Sequence, residues 1–410
     1  MSELVTKAQV ELVARTLHVP VEKVSFLERL SADEVHDLQT RMSYRIFDDH
    51  AEKFRRLCML VPIVPLSIAL PIVQAVVPPM MGGRAGGAIG LVHPKKAVAA
   101  ITMLDPAYAA AAAPYLDPRA VERLAHLAPP KPIVDIANEI LRLHDYTTAG
   151  LFVDFATPEL IRAVEEGVQD DEGLLFAGSY VRSGVTVSYV VREILQSSPG
   201  RIGRMVRSVA AGSTQLRLAA LSVISRLDAD LIAVVGKTMF DEIEPKAIAD
   251  LLRCFIDEGA AVELLRFAEH LEPPTLHQLA ANPLFENERM LPLMIDELVA
   301  GGQTDAWRGA LVVAEYSDDE LRRRIGETLA RAGTRAAGGL LDAIVDGDLW
   351  EAFFDLLAVQ DDNVRNAIAR QCAEAMNDAQ RQHLDDYLTT RTLDPRNEPA
   401  VEILRLRPVW

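Results

Sequence analysis

Cysteine is scarce in this sequence. Only three cysteines occur in 410 residues, at Cys58, Cys254 and Cys372, and their separations match neither a zinc site nor a disulfide framework. We therefore expect them to be small buried hydrophobic residues in a reducing compartment. The N-terminal residues carry charges throughout and lack the continuous apolar run of a signal peptide. Together these features predict a cytoplasmic location.

Basic and aromatic residues are also few. Lys and Arg total 42 against 59 Asp and Glu, which gives a formal net charge of −17. An acidic surface repels phosphate backbones, and no Lys/Arg-rich run is present, so a nucleic-acid partner is not expected. Aromatic residues make up 6% of the chain, whereas alanine, the best helix former, is abundant. This composition favours an all-α fold.

Signatures of catalysis and metal binding are incomplete. The stretch "VVGKT" ends like a phosphate-binding loop, but leucine stands where the first glycine of that loop is required. One carboxylate–histidine pair, Asp33 and His36, has the spacing of a helical metal site, to which Asp48 and His50 could add ligands. A solvated acidic helix face explains these residues better, because no second pair of that spacing lies on a comparable apolar helix. We therefore predict no enzyme activity, no cofactor and no metal ion, with a metal-dependent enzyme as the least favoured alternative.

Prolines recur with a regular spacing between residues 93 and 130. They stand twelve residues apart, at Pro94, Pro106, Pro118 and Pro130. Asp105 and Asp117 each precede one of them, which is the order of an N-cap followed by a proline in the first helical position. Each interval therefore predicts one short helix and a tight corner. Helices of this length need neighbours to be stable, so they must stack.

A second repeat with a longer period follows. A shift of 43 residues carries Trp307 onto Trp350 and Asp318 onto Asp361. A period of this size corresponds to two helices and is typical of HEAT and armadillo repeats. The two tryptophans are therefore expected in the core rather than in an aromatic binding site. The aspartates are expected at helix starts, where negative charge is favourable.

The segment from Cys58 to Met81 contains no charged residue. Its length would suffice to cross a bilayer, but five prolines interrupt it, so we do not expect a transmembrane helix. Two alternatives remain open: short helices buried in the core, or an apolar groove for a partner helix or a lipid. The residues proposed to line that groove are Leu66, Ile68, Leu70, Ile72, Val76, Met80 and Met81.

The proline-spaced stretch "HPKKAVAAITMLDPAYAAAAAPYLDPRAVERLAHLAPP" resembles a known family. It is similar to the N-terminal cytoplasmic domain of MgtE-type magnesium transporters, an armadillo-like superhelix written as repeats of the form L-x-P-x-x-A-x-x-x-L. In those transporters the helical domain is regulatory and is not the pore. The resemblance implies an α-superhelix that serves as a docking or regulatory surface. Transport by this chain alone is not expected, because no run of transmembrane helices accompanies the repeats.

These observations together predict an all-α protein, a right-handed α-solenoid or superhelix of short stacked helices. Residues 1–57 are expected to form N-terminal helices, residues 58–165 proline-punctuated short-helix repeats, and residues 166–410 HEAT-like helix-pair repeats. The predicted function is that of a non-catalytic cytoplasmic scaffold for an unknown protein partner. The alternative is a carrier or membrane-peripheral protein that binds a lipid or another apolar ligand along residues 58–81.

Overall fold

The computed structural model describes residues 3–301, 303–391 and 393–406. All regular secondary structure in these ranges is helical, with 26 α-helices and five 3-10 helices. The predicted all-α class is therefore confirmed. The chain forms two compact units, one from Met1–Met205 with Leu218–Asp228 and the other from Val206–Arg217 with Ala229–Trp410. The three predicted divisions by repeat type stay predictions.

The first unit contains twelve complete α-helices within its described residues. They are α1 (Glu3–Leu17), α2 (Ala32–Leu60), α3 (Leu66–Val76), α4 (Pro79–Val92), α5 (Pro94–Ile101), α6 (Pro106–Ala112), α7 (Pro118–Ala125), α8 (Pro130–Arg142), α9 (Tyr146–Val153), α10 (Pro158–Gly167), α11 (Asp171–Tyr180) and α12 (Gly184–Ser197). Short 3-10 helices occupy Val21–Lys23, Ser25–Arg29 and Ala113–Tyr115. Helices α13 (Pro199–Ala211) and α14 (Thr214–Ile224) contribute residues to both units.

The second unit continues with twelve further α-helices in its described part. They are α15 (Ala229–Glu242), α16 (Pro245–Asp257), α17 (Ala261–Glu269), α18 (Pro273–Ala280), α19 (Met290–Gly301), α20 (Thr304–Glu315), α21 (Asp319–Ala332), α22 (Thr334–Gly347), α23 (Trp350–Ala358), α24 (Asp362–Ala375), α25 (Asp378–Thr390) and α26 (Glu398–Arg405). Two 3-10 helices lie at Pro283–Glu286 and Pro395–Asn397.

The four regularly spaced prolines each begin a helix, α5 to α8, as the sequence predicts. The carboxylate of Asp105 accepts hydrogen bonds from the backbone N–H groups of Ala107 (2.9 Å) and Tyr108 (3.1 Å). That of Asp117 accepts one from the N–H of Arg119 (3.0 Å). These caps satisfy donors that a helix start leaves unpaired, so the regular prolines mark helix starts and do not interrupt helices.

The glycine-rich stretch that follows residue 81 lies inside α4 and permits close helix packing. A Cβ atom on Gly83 would overlap the carbonyl oxygen of Ala112, and one on Gly87 would lie 2.7 Å from the backbone nitrogen of Asp117. Helix α4 therefore contacts α6 and α7 through its own backbone. This contact stabilises the short helices α6 and α7, since helices of seven or eight residues do not persist alone.

The N-terminal helix of the first unit packs against residues far along the chain. Arg15 on α1 forms a two-point ion pair with Asp145, whose second contact is 2.5 Å long. The hydroxyl of Tyr180 donates a hydrogen bond of 2.5 Å to Glu11. Burial, together with that carboxylate, raises the pKa of Tyr180. These contacts tie α1 to the region of α9 and α11 and close the first unit on itself.

A buried arginine forms a second junction in the first unit. Arg201 is 3% exposed and donates to the Asp171 carboxylate at 2.7 Å and to the Val168 carbonyl at 2.6 Å. It also contacts the buried carboxylate of Glu165 at 3.4 Å. A buried charge is tolerated when several acceptors surround it, so this guanidinium fixes the ends of α10 and α11 against α13.

Hydrogen bonds between helices of the second unit join residues about one repeat apart. The side chains of Asn282, Gln360 and Asn397 donate to backbone carbonyls 37, 38 and 43 residues earlier, namely those of Pro245, Arg322 and Phe354. Arg308 on α20 binds Glu269 at 2.7 Å, 39 residues before it, and pairs with Asp346, 38 residues after it. Helix α20 accordingly packs against both α17 and α22, and α24 against both α22 and α26.

The residues that match in the longer repeat occupy matching positions in the structure. Trp307 and Trp350 are fully buried, which confirms their predicted place in the core. The Trp350 indole N–H donates to Nδ1 of His383 at 2.8 Å. Asp318 and Asp361 cap α21 and α24 by accepting backbone N–H groups at 2.8 and 2.9 Å. Both predicted helix starts are therefore confirmed.

The contact between α17 and α20 depends on a glycine. A Cβ atom on Gly309 would overlap the Leu265 carbonyl oxygen and lie 2.7 Å from its carbon. We expect Gly309→Ala to lower the free energy of unfolding by about 2 kcal/mol, because two helix backbones must separate. Urea unfolding followed by tryptophan fluorescence measures this, since Trp307 and Trp350 lie in the same unit.

Gly338 supplies the matched control. It also lies inside a helix, but a Cβ atom there would have no neighbour within 4 Å. Gly338→Ala should leave stability unchanged or raise it by up to about 1 kcal/mol, through the better helix propensity of alanine. Equal effects of the two substitutions would contradict the close approach of α17 and α20.

Candidate functional site

The charge-free segment 58–81 is divided between three helices of the first unit. It contains the last turn of α2, a turn with two prolines, all of α3 and the first residues of α4. Pro65 immediately precedes α3, Pro71 lies inside it, and Pro79 is the first residue of α4. Among the described residues, no helix has both the length and the apolar character that crossing a bilayer requires.

Helix α3 exposes a row of apolar side chains. Ile68, Ile72 and Val76 are 62%, 60% and 75% exposed, and their spacing of four residues places them on one face of the helix. Pro71 and Ala75, which are also exposed, lie on the same side. The opposite side carries Leu70, which is only 8% exposed. The exposed row of α3 is thus apolar and unpacked, whereas the side that carries Leu70 is packed.

The seven residues predicted to line a groove differ in their exposure to solvent. Leu70 is buried and Leu66 is half-buried, whereas the remaining five are exposed: Ile68, Ile72, Val76, Met80 and Met81. Large apolar side chains in the preceding turn are exposed as well. We define the apolar surface as Met59, Leu60, Ile63, Val64, Ile68, Ile72, Val76, Met80 and Met81.

Two side-chain hydrogen bonds anchor the C-terminal end of α3. The side-chain oxygen of Gln74 accepts a hydrogen bond of 2.5 Å from the backbone N–H of Asp105. The Tyr108 hydroxyl donates to the carbonyl of Val77 at 3.0 Å, and burial raises the pKa of that phenol. Both contacts come from the start of α6, on the side away from the exposed row.

The sequence around the apolar surface is free of acidic residues. Residues 53–104 contain no Asp or Glu, in a chain whose formal net charge is −17. The same residues include six cationic side chains, Lys53, Arg55, Arg56, Arg84, Lys95 and Lys96. The excess of cations over acidic residues can be read from the sequence. A search for a Lys/Arg-rich run misses it, because the cations are widely spaced. The local charge is therefore opposite to that of the whole chain.

Two of these cations, Arg56 and Lys95, belong to helix ends that meet where the apolar surface begins. Nε2 of His93 is 2.9 Å from the carbonyl oxygen of Cys58, so the start of α5 lies against the end of α2. Lys95 follows His93 by two residues and is exposed, as is Arg56 in the last turns of α2. The side chain of Arg55 lies outside the described part of the chain. Exposed cations and exposed apolar side chains thus share this end of α2.

The candidate metal ligands have other partners. Asp33 pairs with Arg182 at 3.4 Å, Asp48 with Arg119 at 2.8 Å, and Nδ1 of His36 contacts the Gln9 side chain at 3.2 Å. The side chain of His50 lies outside the described residues. Among the side chains that the structure does describe, no three His, Cys, Asp or Glu residues form a cluster suited to a metal ion. The carboxylates instead serve ion pairs within the first unit.

Neither the stretch that ends like a phosphate-binding loop nor the cavity beside Trp307 forms a ligand site. The stretch "VVGKT" lies within α15, where Lys237 pairs with Asp241 one turn later, so its backbone cannot form a phosphate-binding loop. A cavity of about 40 Å³ beside Trp307 is lined by apolar side chains of α17, of the 3-10 helix Pro283–Glu286 and of α19 to α23. Ligand sites usually enclose about 300 Å³ or more, so this cavity is a packing gap in the core.

The two faces of α3 can be compared by substitution. Leu70→Gln places a polar group in a packed position and should lower the free energy of unfolding by about 3 kcal/mol. Ile72→Gln changes an exposed position and should alter it by less than about 0.5 kcal/mol. Urea unfolding followed by circular dichroism compares the two variants. A large loss of stability in Ile72→Gln would show that this face is packed.

No protein-family model matches this chain, and no curated protein matches it in sequence. The resemblance of residues 93–130 to the MgtE-type helical domain therefore stays a prediction. What the chain does has to be inferred from its own contacts, burial and charge.

Proposed function

We propose that this protein is a non-enzymatic helical-repeat scaffold that holds a protein partner. The observation that carries the proposal is the contact pattern of the second unit, where Arg308 binds acidic residues 39 positions before and 38 positions after it. Contacts confined to neighbouring repeats are the property of solenoids, which build extended binding surfaces. We infer a right-handed superhelix of stacked helix pairs from this pattern, in keeping with the resemblance to MgtE-type domains.

The chemistry of the described side chains supports a role without catalysis. Many acidic side chains in the described part of the chain are engaged in caps and ion pairs, as Asp145 is with Arg15 and with the start of α9. Regulation of another protein through docking requires no reactive group. It requires a rigid framework with exposed helix faces, which stacked repeats provide.

The cysteines support the proposed cytoplasmic location. All three are unpaired, and Cys58 and Cys372 are buried. Burial raises the pKa of Cys372 to about 12, so this thiol stays protonated and unreactive. Buried free thiols are typical of proteins that fold in reducing compartments.

A membrane-peripheral function is the second candidate, and the apolar surface favours it. Nine of the twenty large apolar side chains that are exposed among the described residues belong to that surface. A carrier that encloses an apolar ligand is less well supported, because Ile68, Ile72 and Val76 point outward from one helix. A surface of this kind suits contact with something larger than itself.

The scaffold proposal is tested by affinity capture from the source organism with the full chain as bait. We expect at least one protein to be recovered in an amount comparable to that of the bait, because a scaffold functions through a stoichiometric complex. Quantitative mass spectrometry measures the ratio. The control bait is the Gly309→Ala variant, heated past its unfolding transition and cooled, which reports adsorption to exposed core.

Recovery of the same proteins by the native bait and by the heated control would contradict the proposal. So would the absence of any protein in stoichiometric amount from extracts of cells grown under several conditions. Turnover of a substrate by the purified chain alone would exclude the non-enzymatic assignment directly.

A further inference from the structure

We propose that the apolar surface docks onto an anionic phospholipid bilayer and attaches the first unit to it peripherally. The inference rests on the second candidate function, that of a membrane-peripheral protein, and names the lipid chemistry that the surface would contact. It requires a surface that is apolar at its centre, positive at its edge and held in a fixed position. Residues 53–104 provide these three properties.

Helix α3 supplies the apolar centre of this surface. Apart from Ser67 and Gln74, helix α3 consists of apolar residues, and such a helix is normally enclosed by protein or by lipid. It nevertheless leaves Ile68, Ile72 and Val76 more than half exposed. These side chains span nine residues, or about 12 Å of helix. Eleven residues are too few to cross the hydrocarbon layer. Helix α3 therefore suits a position parallel to the membrane, with its exposed row in the interface.

The cations around the apolar surface indicate that the membrane it contacts is anionic. Six Lys and Arg and no acidic residue occur between positions 53 and 104, and the exposed Arg56 and Lys95 lie at the end of α2 where the apolar surface begins. Anionic phospholipids attract cations near the membrane surface. The acidic remainder of the chain is screened at distances beyond about 10 Å in 0.1 M salt. The apolar surface and its cations thus combine both kinds of attraction to an anionic bilayer.

The same charges argue against a second copy of the chain as the occupant. A symmetric dimer places the same patch of both chains in one interface, and the cations of the two copies would then face each other. Like charges brought together in this way are unfavourable. A bilayer with anionic headgroups supplies the opposite charge as well as an apolar interior.

Vesicle co-sedimentation of the full chain tests this inference. The vesicles are phosphatidylcholine alone, or phosphatidylcholine with about one-third phosphatidylglycerol, in about 0.1 M salt. We expect binding to the anionic vesicles at least about tenfold stronger than binding to the neutral ones, and weaker at high salt. Ile68→Gln/Ile72→Gln should reduce binding by more than about tenfold, because both side chains enter the interface.

Two further variants separate the contributions. Arg56→Gln/Lys95→Gln should remove most of the preference for anionic vesicles, while leaving the apolar residues in place. Val185→Gln/Val234→Gln is the matched control, because Val185 is 79% exposed, as Val76 is 75% exposed, but lies outside the apolar surface. This control should bind as the unchanged chain does. Circular dichroism shows that each variant is folded.

Three results would overturn the inference. They are no sedimentation with either vesicle, equal binding to both vesicles, and binding that Ile68→Gln/Ile72→Gln leaves unaltered. Light scattering of the same samples measures the molar mass and so detects the competing occupant, a second copy of the chain. A dimer that Ile68→Gln/Ile72→Gln dissociates would assign the apolar surface to that second copy. Any of these results leaves the scaffold proposal standing, because partner capture tests that proposal separately.

Discussion

Short helices need neighbours, and this requirement constrains the structure throughout. Most of the α-helices contain fourteen residues or fewer, lengths at which an isolated helix is marginal in water. Each is therefore stabilised by what packs against it. In the second unit these contacts recur at separations of 37 to 43 residues, so one repeat stabilises the next. In the first unit, Arg15 and Glu11 bring α1 back to Asp145 and Tyr180 and close the unit.

Helix α3 is packed on one side only, and its exposed side is therefore the main functional candidate. Its inward side is held by Leu70 and by the contacts of Gln74 and Tyr108, while its outward side remains apolar and unpacked. A surface that is apolar, exposed and bordered by cations is unfavourable in water unless something covers it. The residues that leave this apolar area exposed are thus the ones that support its proposed role as a docking surface.

Local rules allowed much of the fold to be predicted from the sequence. The capped prolines at Pro106 and Pro118 indicated helix starts, because a cap depends only on residues within one turn. The matched Trp307 and Trp350 indicated core positions, because tryptophan is highly buried on average. The exposure of Ile72 could not be predicted, since an apolar helix can face a core or a partner equally well. The buried Arg201 was missed for a similar reason, because its acceptors at Glu165, Val168 and Asp171 meet only in the folded unit.

The central claim, that the second unit is stabilised from one repeat to the next, is tested most directly by native-state hydrogen exchange of the full chain in increasing urea. Contacts confined to neighbours predict that residues 229–406 lose protection in successive blocks of about forty residues, beginning at an end of the unit. Loss of protection by all of these amides in one cooperative step, with a single free energy, would contradict the account.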